Sequence, residues 1–170
     1  MIPLMMHLAI AVNNRDRKLI PALISLFTWS KAFHTELIFS DGVTFQATSP
    51  GVRYYKGVVY DRYQWVLLPL LNITPEIEDK IRKRADAIES RHPKYDYLGA
   101  IFGGFHSTIE ESDKWYCSKL CRCLLRELFP SINDDKWITP DRLWRGVAHD
   151  LTTTYSQHLS PSILRYSIHH

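Results

Sequence analysis

Two side chains, far apart in a chain of 170 residues, have the types and settings for covalent catalysis. Cys117 lies in Trp115-Tyr116-Cys117-Ser118-Lys119-Leu120, at the start of an apolar stretch that reads as a helix to about Leu128. A thiol at a helix N-terminus meets unsatisfied backbone N–H groups and the positive end of the helix dipole, and both favour the thiolate. His34 lies in Phe33-His34-Thr35-Glu36-Leu37-Ile38-Phe39, a strand pattern that runs into the turn Ser40-Asp41-Gly42. A histidine on a neighbouring strand can take the thiol proton and later deliver it to a leaving group. The pair is the minimal machinery of a cysteine hydrolase or acyltransferase, with the backbone N–H of Cys117 as the natural oxyanion donor.

The imidazole of such a pair needs a partner on its second nitrogen. Glu36 follows His34 by two residues and so shares its strand face. Gln46 lies across the turn. A three-residue loop sets Glu36 opposite Gln46, with His34 diagonal; a two-residue turn at Asp41-Gly42 faces Gln46 away. The sequence leaves both registers open, and charge alone favours Glu36 as the better partner for an imidazolium. Tyr95 and Tyr116 are candidate hydroxyl donors to the site, with core packing as the alternative. A polar Ser118 in the first turn of an apolar helix suggests an opening onto a cleft. The bland alternatives are a satisfied strand histidine and a cysteine serving as a small buried hydrophobe.

Composition narrows the setting. The length is that of one domain, and 45% hydrophobic residues suffice for a core. The three cysteines, Cys117, Cys121 and Cys123, lie within seven residues and cannot staple distant parts of the chain. That placement fits a reducing compartment, and the chain is expected to be cytoplasmic. The spacing C-x3-C-x-C lacks the paired knuckles of zinc sites, so no metal and no cofactor is expected. The net charge of +3 is small and dispersed, which argues against nucleic acid. Lys80-Ile81-Arg82-Lys83-Arg84 reads as the solvated face of a helix. The N-terminal apolar stretch lacks a basic leader and reads as a strand. Leu19 to Trp29 is too short to span a bilayer and reads as a core helix, with peripheral membrane contact as the alternative.

The elements that must position the pair follow in order. A strand is expected over Leu8 to Val12, a helix over Lys18 to Thr28, and a hairpin from Phe33 to Ala47. Further strands are expected over Val52 to Val59 and Gln64 to Leu68. Thr74-Pro75-Glu76 caps and opens an amphipathic helix whose Ile77, Ile81, Ala85 and Ile88 share one face. Tyr95 to Phe105 reads as a short helix, His106 to Lys114 as a polar, mobile loop, and Thr139-Pro140 as the start of another helix. Strands first and helices after make an α+β fold, a small antiparallel sheet packed against helices.

With these pieces in order, the chain resembles the circularly permuted papain-like family: YiiX-like proteins and the lecithin:retinol acyltransferase group, permuted relatives of NlpC-type cell-wall peptidases. The resemblance rests on Phe33-His34-x-Glu36-Leu37-Ile38, Asp41-Gly42, Val43-Thr44-Phe45-Gln46-Ala47, Gly51-Val52, Tyr95-Asp96-Tyr97, Tyr116-Cys117-Ser118-x-Leu120 and Ile138-Thr139-Pro140-x-x-Leu143. It covers about Leu8 to Trp144. It implies a single permuted domain over residues 1–150, with a weakly patterned tail over 151–170. It implies Cys117 as nucleophile, His34 as base and Gln46 as the orienting residue, where relatives often carry Glu or His. Phe33 also departs from the family's small residue before the histidine. The implied substrates are peptide, peptidoglycan-like or acyl-lipid carbonyl compounds. A non-catalytic binding module that keeps the fold with a decayed site is the competing reading, and the uncharged Gln46 is what supports it.

Overall fold

The computed structural model describes residues 5–12, 31–102, 113–133 and 138–158. The helix expected over Lys18 to Thr28, the apolar stretch Leu19 to Trp29, and most of the polar segment His106 to Lys114 lie outside them. The architecture is α+β: among the described residues, a five-stranded antiparallel sheet with four helices.

Strands β1 (His7–Ala11), β2 (His34–Ile38), β3 (Thr44–Thr48), β4 (Gly51–Tyr55) and β5 (Trp65–Pro69) assemble in the order β4-β3-β2-β1-β5. β1 and β2 are inner strands and are buried nearly throughout, their apolar Leu8, Ile10, Leu37 and Ile38 together with the polar Thr35 and Glu36. Among the described residues β4 and β5 are the edges, and they carry the more exposed residues. The strand expected to reach Val59 stops at Tyr55, two residues before Gly57, whose φ is +71°.

The β2–β3 connection settles the hairpin. Phe39 N–H donates to Val43 O at 2.8 Å, and Gly42 N–H donates to Phe39 O at 2.9 Å. The loop is therefore the three-residue one, with Gly42 at φ +80°, a conformation glycine adopts without steric cost. Leu37 pairs with Phe45 and Ile38 with Thr44. The same register carried on sets Glu36 opposite Gln46.

Helix α1 (Pro75–Glu89) locks that loop from outside. Thr74 accepts from Ile77 N–H at its start, and Ile81 and Ala85 bury its apolar face. Ser40 donates to Glu78 through both its backbone N–H and its hydroxyl, at 3.1 and 3.0 Å. Arg82 reaches Asp41 at 2.7 Å and stacks over Phe39, 4.0 Å from the ring centroid. Lys83 pairs with Asp79 and Arg84 with Glu127, so these members of the basic cluster meet carboxylates.

The stretch expected as one helix from Tyr95 divides in two. Lys94–Tyr95 (β6) pairs in parallel with Lys114–Trp115 (β7). Helix α2 (Tyr97–Phe102) then starts from Asp96, whose Oδ1 accepts from Gly99 N–H at 2.8 Å. Helix α3 (Cys117–Leu125) follows β7 directly and packs on β2 and β3. It ends three residues earlier than expected, where the chain turns towards Pro130 and a 3₁₀ turn over Pro130–Ile132. Helix α4 (Pro140–His158) opens under the Thr139 cap and continues eight residues past the boundary expected at 150, so the first part of the supposed tail is helical. Its Leu143 and Val147 are fully buried. Among the described residues no helix is long and apolar enough to cross a membrane.

Candidate active site

Cys117 is the first residue of α3, and Tyr116 precedes it in an extended conformation without a side-chain cap. Leu120 N–H makes the first intrahelical bond, to Tyr116 O at 3.0 Å, so the N–H groups of Cys117 and Ser118 precede the hydrogen-bond ladder of the helix. The β2–β3 pairing ends at Leu37–Phe45, before β2 reaches its first residue, His34. The start of α3 brings its sulfur to the N–H of Thr35 and to His34 at that end of β2. Cys117 is 2% exposed and the His34 side chain 18%.

The structure brings the two predicted groups together. Burial works to raise the Cys117 thiol, but the charge of His34, their mutual hydrogen bond and the N–H groups of Thr35 and Ser118 at the sulfur win, and its pKa lies below the ordinary thiol value. Burial likewise opposes a charged His34. The Cys117 sulfur, by charge and hydrogen bond, and Glu36, in the same two ways, outweigh it and raise the imidazole. Both shifts run in the direction of a thiolate–imidazolium pair.

Both candidate orienting residues reach the same ring nitrogen. His34 Nε2 lies 3.3 Å from Gln46 Oε1 and 3.7 Å from Glu36 Oε2. With Nε2 so engaged, Nδ1 is the nitrogen left for the sulfur. Gln46 supplies the hydrogen-bonding carbonyl, and Glu36, 1% exposed, supplies the charge. The alternatives posed by the sequence are therefore not exclusive: the three-residue loop brings the two side chains to one nitrogen. Trp65 stands next to the imidazole, the ring centroids 6.0 Å apart and the planes nearly perpendicular.

The remaining predicted residues divide. Tyr95 is half-buried, and its hydroxyl pKa is pushed up by burial first and then by the Cys117 charge. It stands edge-on to Tyr97, whose hydroxyl lies 2.5 Å from Ser49 Oγ at the β3–β4 turn. Tyr116 is 3% exposed and belongs to the core cluster. Ser118 corrects the expectation of a cleft: its side chain is wholly buried, and Oγ donates to Ile138 O at 2.7 Å. A hydroxyl among apolar neighbours needs an acceptor, and this one ties α3 to the residues that open α4. Cys121, one turn on, is also wholly buried, and its pKa is pushed up by burial. That is the behaviour of an inert thiol.

Two contributors were not foreseen. The N–H of Thr35 reaches the sulfur because β2 leaves β3 early, a backbone event with no residue signature. Tyr60 lies against Glu36 and Thr44, from a loop whose sequence gives no sign of a site.

No protein-family model matches this sequence, and a search of curated proteins finds no match.

Proposed function

We propose that the chain is a thiol-dependent hydrolase or acyltransferase that works through Cys117 and His34, in a domain of permuted papain-like type. The observation that carries this reading is the convergence of a helix-start thiol and a strand histidine, distant in sequence, with polarised charges and a second partner on the imidazole. The histidine preceding the cysteine in the chain, and a sheet backing the cysteine helix, suit the permuted order.

The chemistry follows from the pair. The Cys117 thiolate attacks a carbonyl carbon; the C–S bond forms as the carbonyl π electrons move to oxygen. The backbone N–H of Cys117, ahead of the hydrogen-bond ladder of α3, is the natural donor to that developing charge, where preorganised donors act most strongly. Collapse breaks the bond to the leaving group, which takes the proton held on His34. His34 then accepts a proton from water or another acceptor as that molecule attacks the thioester, and Cys117 leaves as thiolate. Amide, ester and thioester carbonyls all fit this sequence, which leaves peptides, peptidoglycan-like peptides and acyl lipids as the substrate classes.

A thiol-specific test needs no substrate. Iodoacetamide at neutral pH should label Cys117 well ahead of Cys121 and Cys123, with its pH midpoint below that of an ordinary thiol. Cys117→Ser should remove the fast phase and any turnover, while Cys121→Ala leaves both. Equal labelling of Cys117 and the more exposed Cys123 would refute the reading.

A further inference from the structure

Behind His34, on the side away from the sulfur, sits a buried carboxylate whose environment the mechanism above does not use. Glu36 is 1% exposed in an inner strand, and its Oε1 has no hydrogen-bond partner among the described residues. A buried charge so placed is costly unless something holds it. Among the described residues, a polar side chain comes to it from outside the sheet. Tyr60, in the connection between β4 and β5, sets its hydroxyl 2.8 Å from Thr44 Oγ1 and against Glu36. Its ring meets Trp65 at 5.2 Å and a right angle, and Trp65 in turn meets the imidazole edge-on. The phenol, indole and imidazole thus form one aromatic row, with the carboxylate alongside.

We propose that Tyr60 is a positioning residue for His34, acting through Glu36: its hydroxyl, itself held by Thr44, donates to the buried carboxylate and keeps it 3.7 Å from Nε2. The inference rests on the reading of Cys117 and His34 as a working pair. With Thr44 O–H donating to the phenol oxygen, the phenol O–H is left to turn to the carboxylate, so each proton has one acceptor. The burial of Tyr60 and the nearness of Glu36 both push its hydroxyl pKa up, so it keeps its proton throughout the working range. Among the described residues, the titratable groups that face Glu36 are His34, Tyr60 and, through the sheet, the thiol of Cys121. Tyr60 acts as a neutral donor that holds the carboxylate in place on the far side of the imidazolium.

The test follows alkylation of Cys117 against pH in the full chain, with Cys123 as internal reference and thermal midpoints measured alongside. Tyr60→Phe keeps the ring on Trp65 and removes only the hydroxyl. It should raise the midpoint of Cys117 labelling and slow labelling at neutral pH by up to about tenfold, the factor that accompanies one pKa unit. Glu36→Gln should do the same, and the double variant should be no worse than Glu36→Gln alone, because Tyr60 works only through that carboxylate. Thr44→Val gives an independent reading through the group that holds the phenol, and it should move the profile in the same direction by less. An unshifted profile in Tyr60→Phe, or losses that add in the double variant, would overturn the proposal. If Tyr60→Phe does not fold, Thr44→Val decides, with an unshifted profile again refuting it. Slow, unselective labelling of Cys117 in the unaltered protein would instead refute the catalytic pair itself.

Discussion

At the residue scale, the site divides labour between a charged and an uncharged partner of one nitrogen. Gln46 stands closer to His34 Nε2 than Glu36 does, and it gives the ring direction; Glu36 is the buried charge that favours the imidazolium. The two should therefore fail differently. Gln46→Ala should lower the rate with little change in the pH profile of Cys117 labelling. Glu36→Gln should move that profile upward, because the imidazolium loses its counter-charge. Rate and labelling measured on both variants separate these effects, and identical profiles in the two would show that charge at Glu36 plays no part. His34→Ala should cost roughly 10²–10⁴-fold in turnover, the range for losing a positioned general acid–base. It should also slow Cys117 alkylation near neutral pH. Unchanged alkylation would mean that thiol and imidazole do not interact.

At the element scale, the structure shows what was written in local chemistry and what was not. The cap and proline at Thr74-Pro75, the cap at Thr139, the hairpin about Asp41-Gly42 and a helix beginning at Cys117 are all where residue chemistry puts them. Each depends on groups within a few positions of one another. The register of the hairpin was not legible, because two loop lengths fit the same residues; contacts from α1, far along the chain, hold the longer one. The split at Tyr95 escaped for a similar reason, since β6 exists only by pairing with β7 across the intervening segment. Ser118 misled because a hydroxyl in an apolar helix signals only that it needs a partner, not whether that partner is solvent or a buried carbonyl. Gly51, the first residue of β4, packs against the chain that leads into β6. Its φ is +118°, and a Cβ there would stand 2.6 Å from Pro93 O, just before β6. Gly51→Ala should destabilise the protein by about 1–3 kcal/mol, the cost of holding a side chain in such a conformation. It should also displace β6, which carries Tyr95 towards Cys117. Denaturant midpoints would read the first effect and Cys117 labelling the second. A full-stability variant would show that β4 and β6 are not held together here.

At the scale of the whole molecule, a charge pair inside the fold ties stability to pH. His34 has an ordinary value of 6.5 and is raised by folding. Its contribution is complete below that value and is lost as pH rises through the folded one. Cys117 is lowered from 9.0, so its contribution is complete above that value and is lost as pH falls. Between about pH 6.5 and 9 the folded pair and the unfolded chain hold the same number of protons, and the pair adds no slope. Below that window the unfolded histidine gains a proton while the folded pair does not; above it the unfolded cysteine loses one while the folded histidine keeps its own. Stability attributable to the pair should therefore form a plateau with a decline on each side. Other groups also act on the acid side. His7, buried at the start of β1 with Nδ1 2.9 Å from Met5 O, is lowered by that burial, and its contribution fades as pH falls below 6.5. The contribution of His7 is common to the unaltered protein and to Cys117→Ser, and it cancels in the difference between them. Denaturant unfolding of both proteins from about pH 5 to 10 should give a difference that is largest on the plateau and shrinks towards either end. A difference constant across the range would mean that Cys117 and His34 meet as neutral thiol and neutral imidazole, and the nucleophile would then have to be activated by its substrate.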